Sequence, residues 1–234
     1  MKAYFITATD TDAGKTFVSA GLLQKWSDQG YKTLGFKPVA SGCQKTVEGL
    51  RNDDALKLIA AASISLDYKI INPYSFEPAI APHIAAAQVA VNIDLQTIVK
   101  EIFQHYKKAD RLLVEGVGGW LVPLNEQQNV ADLACLLNFP VILVVNMRLG
   151  CINHALLTAQ AIEQKGLKIA GWIANNAAVS AEKMPHYEEN IETLKAHLKA
   201  PLLGVLPHLS DHEADSSSLV STLFAEHINM EMCI

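Results

Sequence analysis

The stretch Ala3-Tyr4-Phe5-Ile6-Thr7-Ala8-Thr9-Asp10-Thr11-Asp12-Ala13-Gly14-Lys15-Thr16 reads as a strand, a polar turn and the start of a helix. Its first six residues carry no charge, polar residues then cluster, and Gly14 opens an amphipathic run that reaches Gln29 and stops at Gly30. A helix N-terminus presents backbone N–H groups without intrahelical partners, and the helix dipole adds positive potential there, so an anion is favoured. Glycine at that point lets the backbone approach a phosphate without a Cβ. Lys15 supplies a cation for β- and γ-phosphates, and the Thr16 hydroxyl is a hard oxygen ligand for Mg²⁺.

Working outward, the same alternation recurs along the chain. Strands are expected at residues 3–8, 33–36, 111–114, 141–145, 169–174 and 202–206. Val141-Ile142-Leu143-Val144-Val145 is continuously apolar, the pattern of a strand covered on both faces and typical of parallel sheets. A helix is expected over residues 94–107, with Leu95, Ile98, Val99, Ile102, Phe103 and Tyr106 on one stripe and Asp94 as N-cap. Another, over 153–165, carries Leu156, Ala159 and Ile162 and stops at Gly166; a third starts with Pro185 in its first turn and carries Tyr187, Ile191, Leu194 and Leu198. Residues 43–53 and 72–83, rich in Gly, Asn and Pro, read as loops. The expectation is one α/β domain over residues 1–234, a doubly wound, mostly parallel sheet flanked by helices.

In such sheets ligands bind beyond the carboxyl ends of the strands. Following each strand to its end gathers Lys15, Lys37, Ser41, Glu115-Gly116-Val117-Gly118-Gly119, Asn146, Asn175-Asn176 and Pro207-His208 in one crevice. The strand-to-helix context makes Gly14-Lys15-Thr16 the core of a Walker A loop, although Thr9 stands where the usual pattern begins with glycine. Glu115, ending an apolar strand, is placed for the second carboxylate on the Mg²⁺ side. Asp53 and Asp54 open a helix, where they either cap it or let one of them complete the metal shell.

Composition narrows the partners. The chain has 234 residues, 50% hydrophobic and 18% charged, and a formal net charge of −5 without blocks of like charge, which argues for one sizeable core and against nucleic-acid or anionic-membrane partners. No secretory signal and no run of about 18 uncharged apolar residues is expected to give a membrane span. Cys43, Cys135, Cys151 and Cys233 are far apart, so reduced thiols, no zinc site and a cytoplasmic location are expected.

The combined motifs resemble dethiobiotin synthetases of the P-loop superfamily over roughly residues 2–209. They are Thr9-Asp10-Thr11 with Gly14-Lys15-Thr16, Lys37-Pro38-Val39-Ala40-Ser41-Gly42, Gly49-Leu50-Arg51-Asn52-Asp53-Asp54-Ala55-Leu56, Asn72-Pro73-Tyr74, Pro82-His83, Glu115-Gly116-Val117-Gly118-Gly119-Trp120, Leu149-Gly150-Cys151-Ile152-Asn153-His154 and Ala170-Gly171-Trp172-Ile173-Ala174-Asn175. The resemblance implies a cyclo-ligase in biotin synthesis that takes 7,8-diaminononanoate, CO₂ or bicarbonate, and ATP with Mg²⁺ to dethiobiotin, ADP and phosphate. A carbamate and a carbamic-phosphoric anhydride are the implied intermediates. By position it implies that Asp12, Ala13, Gly14, Lys15, Thr16 and Phe17 hold the triphosphate. Asp54 and the run Glu115, Gly116, Val117 and Gly118 adjoin the nucleotide, and Thr16, Asp54 and Glu115 serve Mg²⁺. Lys37 and Lys15 are then catalytic, and Ser41 touches the diamine. Asn175, Asn176, Pro207, His208 and Leu209 adjoin the base, and either Asp211 or Glu213 meets the ribose. Gly150, Cys151, Ile152 and Asn153 receive the substrate carboxylate from the partner subunit of a homodimer.

Ala8, Asp12 and Ala13 depart from the residues usual in that family at those positions. His105, His154 and His197 are expected on the surface or at caps, Trp26, Trp120 and Trp172 in the core, and Cys151 in a structural role at a helix start that lowers a thiol pKa. His83 is placed in a loop that could face the diamine. Two other classes fit the nucleotide loop. One is an amide-forming ligase on a cobalamin-type acid, whose glutamine-hydrolysing domain is not found here. The other is a partition-type ATPase switch, which carries a second lysine where this chain has Asp10 and tends to carry a basic tail, whereas residues 224–234 hold no Lys or Arg.

Overall fold

A computed structural model describes residues 1–177, 184–214 and 216–233, the side chains at 211 and 212 excepted. Six strands form the central sheet: β1 (Lys2–Ala8), β2 (Thr33–Phe36), β3 (Arg111–Glu115), β4 (Val141–Asn146), β5 (Ile169–Asn175) and β6 (Leu202–Leu206). Their order is β6-β5-β4-β1-β3-β2, and every pairing is parallel. The doubly wound expectation therefore holds. β1 lies between β3 and β4, so its carboxyl end opens into a crevice bounded by the loops that follow both neighbours.

Alternate residues of each strand enter opposite cores. Phe5, Leu112, Val114, Leu143, Val145 and Trp172 face one core, while Tyr4, Ile6, Leu113, Ile142, Val144 and Ile173 face the other. With helices on both faces there is no solvated side to demand polar alternation, which is why these strands read as unbroken apolar runs. Each fully buried Ile, Leu or Phe contributes about 1.5–3 kcal/mol through apolar burial. The three tryptophans are core residues: Trp26 stacks on Tyr4, Trp120 meets Phe5 edge-on, and Trp172 is fully buried.

The main helices are α1 (Lys15–Asp28), α2 (Asp53–Ala61), α3 (Pro82–Gln88), α4 (Leu95–Tyr106), α5 (Val130–Leu137), α6 (Cys151–Gln164), α7 (Tyr187–His197) and α8 (Ser217–His227). Asp94 caps α4 as expected, its carboxylate accepting from Gln96 N–H. Three expectations shift. α6 starts two residues earlier, because Gly150 takes a left-handed φ of 92° and serves as N-cap. Pro185 lies before α7 rather than in its first turn, and His186 at φ 56° makes the entry. The two segments read as loops hold structure: Gln44–Thr46 pairs antiparallel with Gly49–Arg51, Tyr74–Ser75 pairs parallel with Val39–Ala40, and Pro82 opens α3.

The C-terminal helix packs on α1. The Phe224 ring occupies the space above Gly21, where an added Cβ would lie 2.2 Å from it, and Lys25 Nζ donates to the Phe224 carbonyl at 2.8 Å. Beyond α8, Ile228 bridges Gly204 of β6 and Asn229 N–H donates to the Leu203 carbonyl at 2.8 Å.

Candidate active site

The loop from β1 to α1 is held from several sides. Thr9 N–H donates to the Val144 carbonyl at 3.0 Å, and Asn146 N–H donates to Thr9 Oγ1 at 3.3 Å. A threonine thus ties the loop to β4 where the usual motif has glycine. Asp12 sits at φ 56°, a left-handed conformation that a short polar side chain tolerates. Gly14, at φ 83°, is the N-cap of α1, with no side chain closing the helix end. Asn175 Nδ2 donates to the Ala13 carbonyl at 2.9 Å, and a Cβ on Gly14 would lie 2.1 Å from that same nitrogen. The glycine is required by both its φ and this close approach.

Lys37, which follows β2, and Glu115, the last residue of β3, meet 78 positions apart in sequence. Glu115 Oε1 accepts from Lys37 Nζ at 2.5 Å and from Thr16 Oγ1 at 2.8 Å, and Lys37 Nζ also reaches Asp54 Oδ2 at 3.0 Å and the Gly116 carbonyl at 3.3 Å. Glu115 is fully buried and Lys37 is 3% exposed. Burial opposes the charge on Lys37, yet the facing Glu115 and Asp54 carboxylates overcome it and hold its pKa above the ordinary lysine value. Burial likewise opposes ionisation of Asp54, and the Lys37 charge and hydrogen bond overcome it and lower its pKa. The question of Asp53 and Asp54 resolves in this geometry: Asn52 caps α2 by accepting from Ala55 N–H, leaving the Asp54 carboxylate to the cluster.

Lys15 is buried with Nζ 3.4 Å from the Asp10 carbonyl. Burial first and the Lys37 cation second bring its pKa down to about 8. An incoming phosphate would oppose this lowering by supplying compensating negative charge.

Lys15 and Lys37 line a crevice of about 970 Å³ together with Asp12, Gly14, Thr16, Ser41, Asp54, Val117 and Gly118, and the fully buried Glu115 joins its wall through Lys37 and Thr16. The Ser41 hydroxyl is buried without a hydrogen-bond partner, so it is available to a ligand. Thr16, Asp54 and Glu115 supply a hydroxyl and two carboxylates, the hard-oxygen donors that Mg²⁺ takes alongside waters and phosphate oxygens. Glu115 Oε2 is buried with no protein partner, which fits a cation ligand. Phe17 packs its ring on Phe224, 5.4 Å between centroids, so only its backbone faces the loop.

Asn175, Asn176, Pro207, His208 and Leu209 gather at the ends of β5 and β6, where Asn176 N–H donates to the Leu206 carbonyl at 3.2 Å. None of the five lines the crevice, and Asn175 reaches the loop through its bond to the Ala13 carbonyl. The side chain of Asp211 lies outside the described residues, and the Glu213 carboxylate accepts from Ser210 N–H at 2.9 Å. Gly150, Cys151, Ile152 and Asn153 do not line this crevice. Cys151 departs from the expected lowered pKa: it is buried, and burial outweighs the helix start and pushes the thiol up. His83 also departs: within α3 it lines a separate cavity with Asn92, Leu124 and Asn125, while Pro82 is the residue that reaches the crevice.

Sequence reasoning left out Lys57, Ala79, Ile80, Ala81 and Val122 of the crevice wall. It also left out the work of Asn72, whose Nδ2 donates to the Lys37 carbonyl at 2.5 Å and whose Oδ1 accepts from the Tyr68 hydroxyl at 2.8 Å. Asn72 fixes the backbone of Lys37; its place in the Asn72-Pro73-Tyr74 motif was the available signal.

The chain matches the sequence family described as "AAA domain" over residues 2–216. It is 52% identical over 217 residues to the ATP-dependent dethiobiotin synthetase BioD of Cellvibrio japonicus, covering 93% of this chain and 94% of that one. It is 50% identical over 214 residues to the protein of that name from Pseudomonas paraeruginosa, covering 90% and 92%. Among solved structures, the septum site-determining protein MinD of Pyrococcus horikoshii, complexed with Mg-ADP, superposes with a TM-score of 0.58 at 17% identity, covering 99% of this chain and 93% of that one. MinD of Aquifex aeolicus gives 0.57 at 16%, covering 97% and 89%. The structural likeness establishes the P-loop NTPase fold alone, which positioning ATPases share, whereas the sequence identity separates the classes. Asp10 is spoken for, its carboxylate accepting from Thr11 N–H and pairing with Arg148, so the second-lysine position of a partition ATPase is a structural tie in this chain. Half identical to these synthetases across about nine-tenths of its length, the chain belongs to the ATP-dependent dethiobiotin synthetase family.

Proposed function

We propose that this chain is the ATP-dependent cyclo-ligase that makes dethiobiotin, the penultimate step of biotin synthesis, from 7,8-diaminononanoate and CO₂. The observation that carries this reading is the convergence of Lys15, Lys37, Thr16, Asp54 and Glu115 at the start of α1. One substrate amine adds to CO₂ and loses a proton, giving a carbamate. A carbamate oxygen attacks the γ-phosphorus and ADP leaves. The second amine attacks the carbonyl of the resulting anhydride, the urea ring closes, and phosphate leaves.

Carbamate and γ-phosphate are both anions, so the site must hold concentrated positive charge where they meet. Backbone N–H groups at residues 12–17 and the Lys15 ammonium receive the triphosphate. Lys37 lies deeper, beside Ser41, where the carbamate and the transferring phosphoryl group come together. Bound Mg²⁺, held by Thr16, Asp54 and Glu115, supplies charge neutralisation and orients phosphate oxygens. No covalent nucleophile is required. Asn175, Asn176 and residues 207–209 receive the base beyond the loop that Asn175 braces.

The same reading makes residues 1–234 one functional domain and the working form a cytoplasmic homodimer. Its support is the position of Gly150, Cys151, Ile152 and Asn153 outside their own crevice, beside Leu149 at 94% exposure, where a second copy would bring its substrate carboxylate to the start of α6. No described helix is long and apolar enough to cross a membrane. The test is incubation with ATP, Mg²⁺, labelled bicarbonate and diaminononanoate. Label retained in an acid-stable cyclic urea is expected. Hydrolysis stimulated by DNA or lipid and indifferent to the diamine would replace this function with a positioning switch.

A further inference from the structure

The groups assigned to Mg²⁺ are the groups that hold Lys37. Its ammonium contacts Glu115 Oε1 at 2.5 Å and Asp54 Oδ2 at 3.0 Å, and Thr16 Oγ1 donates to that same Glu115 oxygen at 2.8 Å. Even with the metal on the Glu115 oxygen that Lys37 leaves free, two cations on one buried carboxylate repel strongly at close range. A carboxylate as deeply buried as Glu115 also needs a counter-charge at all times.

From this we propose that Lys37 is the resident counter-ion of the divalent-metal site and exchanges places with the metal. In the nucleotide-free protein it neutralises Glu115 and Asp54 and excludes free Mg²⁺. When a nucleotide brings its own negative charge with the metal, Mg²⁺ takes the carboxylates, and the freed ammonium swings on its four-carbon stem toward the reacting anions in the crevice. Metal loading and the delivery of Lys37 are then one event. Free metal without nucleotide is not retained, and the catalytic cation is held away from solvent until there are anions for it to meet. The tether suits this role, because Asn72 fixes the Lys37 carbonyl and leaves only the side chain to move. The inference rests on the metal assignment above and goes beyond it in naming what competes for the site.

The test is a titration of the full-length chain with Mn²⁺, followed by electron paramagnetic resonance, with and without ADP. Wild type, Lys37→Met and Asp54→Asn are compared. Lys37→Met is expected to bind Mn²⁺ without nucleotide at least about tenfold more tightly than wild type, with the gap narrowing when ADP is present. A thermal melt gives the second reading: Mg²⁺ alone should raise the Tm of Lys37→Met and leave wild type unmoved, even if the variant starts less stable. Equal nucleotide-free Mn²⁺ affinity in the two proteins, with Mn²⁺–ADP binding intact in wild type and weakened in Asp54→Asn, would overturn the exchange while leaving the metal site standing. Failure of Mn²⁺ to bind wild type with ADP would overturn both.

Discussion

Helices α1 and α6 begin alike and have opposite surroundings. Each is N-capped by a left-handed glycine, Gly14 at φ 83° and Gly150 at φ 92°, and neither end is closed by a capping side chain. At Gly14 an added Cβ would meet Asn175 at 2.1 Å, whereas at Gly150 nothing lies within 4 Å. Around the first, Lys15, Lys37 and Asp54 line a crevice and the buried Glu115 carboxylate holds Lys37 and Thr16; beside the second stands the almost fully exposed Leu149. A bare helix start is a general receptor for anions. Buried charges surround the start of α1 and not that of α6, so on the proposed reading the chemistry sits at the first and the open start of α6 suits a group arriving from outside the chain.

The largest expected effect would break this contrast at its centre. Lys37→Ala should lower kcat by about 10²–10³, the usual cost of losing one preorganised charge aimed at a developing anion. Steady-state turnover within about threefold of wild type would take Lys37 out of the chemistry.

Exchanging the glycines tests the two helix starts directly. Gly14→Ala and Gly150→Ala each force a left-handed alanine, at about 1–2 kcal/mol. Only Gly14→Ala also displaces the Asn175 amide from the Ala13 carbonyl. ADP affinity by calorimetry should fall about tenfold or more in the first and stay unchanged in the second, whose loss should appear in the KM for the diamine. Equal losses would make the two starts equivalent after all.

A smaller effect separates them by pH. Burial and the Lys37 cation lower the Lys15 pKa to about 8 in the folded chain, against 10.5 for an ordinary lysine, so between those values the unfolded chain binds the extra proton. Stability from this group therefore rises as pH climbs from about 8 to 10.5, and the cost of its buried charge is fully present below that window. The Tm of wild type should gain on that of Lys15→Met across the window, and ADP binding above pH 8 should take up a proton, seen by calorimetry in buffers of different ionisation enthalpy. No uptake would mean that Lys15 does not meet the phosphates.

The smallest effect joins the two regions. Arg148, in the turn before α6, pairs with Asp10 across half-exposed surface. Arg148→Ala should cost no more than about 1 kcal/mol in a denaturant melt. A much larger loss would show that the nucleotide loop leans on the α6 turn for its shape.

What could be read beforehand followed the physics of burial. The strand read over 141–145, observed as Val141–Asn146, announced itself because both its faces are covered, and Gly14-Lys15-Thr16 because the reason for each residue is local. The hairpin of Gln44–Thr46 and Gly49–Arg51 carries no such pattern, since its side chains lie at or near the surface and bury no face. Its loop-like Gly and Asn content hid it. Residue patterns alone leave Asp53 and Asp54 open between capping and the metal shell; Asn52 proves to be the cap, and the Asp54 carboxylate turns to Lys37. The contact of Lys37 with Glu115 is a property of β2 and β3 lying side by side, and the strand order that makes them neighbours is not written in either segment. His83 reads as a loop residue for a related reason: Pro82 in fact opens a helix, where neighbouring side chains point about 100° apart, and here Pro82 faces the crevice while His83 faces another cavity.

The bridge between Ile228 and Gly204, with the bond from Asn229 to Leu203, has a bearing far from the chemistry. An outermost strand with bare amides and carbonyls is a template on which another molecule can polymerise. By folding its own tail along β6, the chain occupies that template itself. A side chain at Gly204 would collide with the His227 carbonyl and prise the tail away. The penalty would fall on solubility, as sheet-to-sheet aggregation, while the catalytic groups stayed in place.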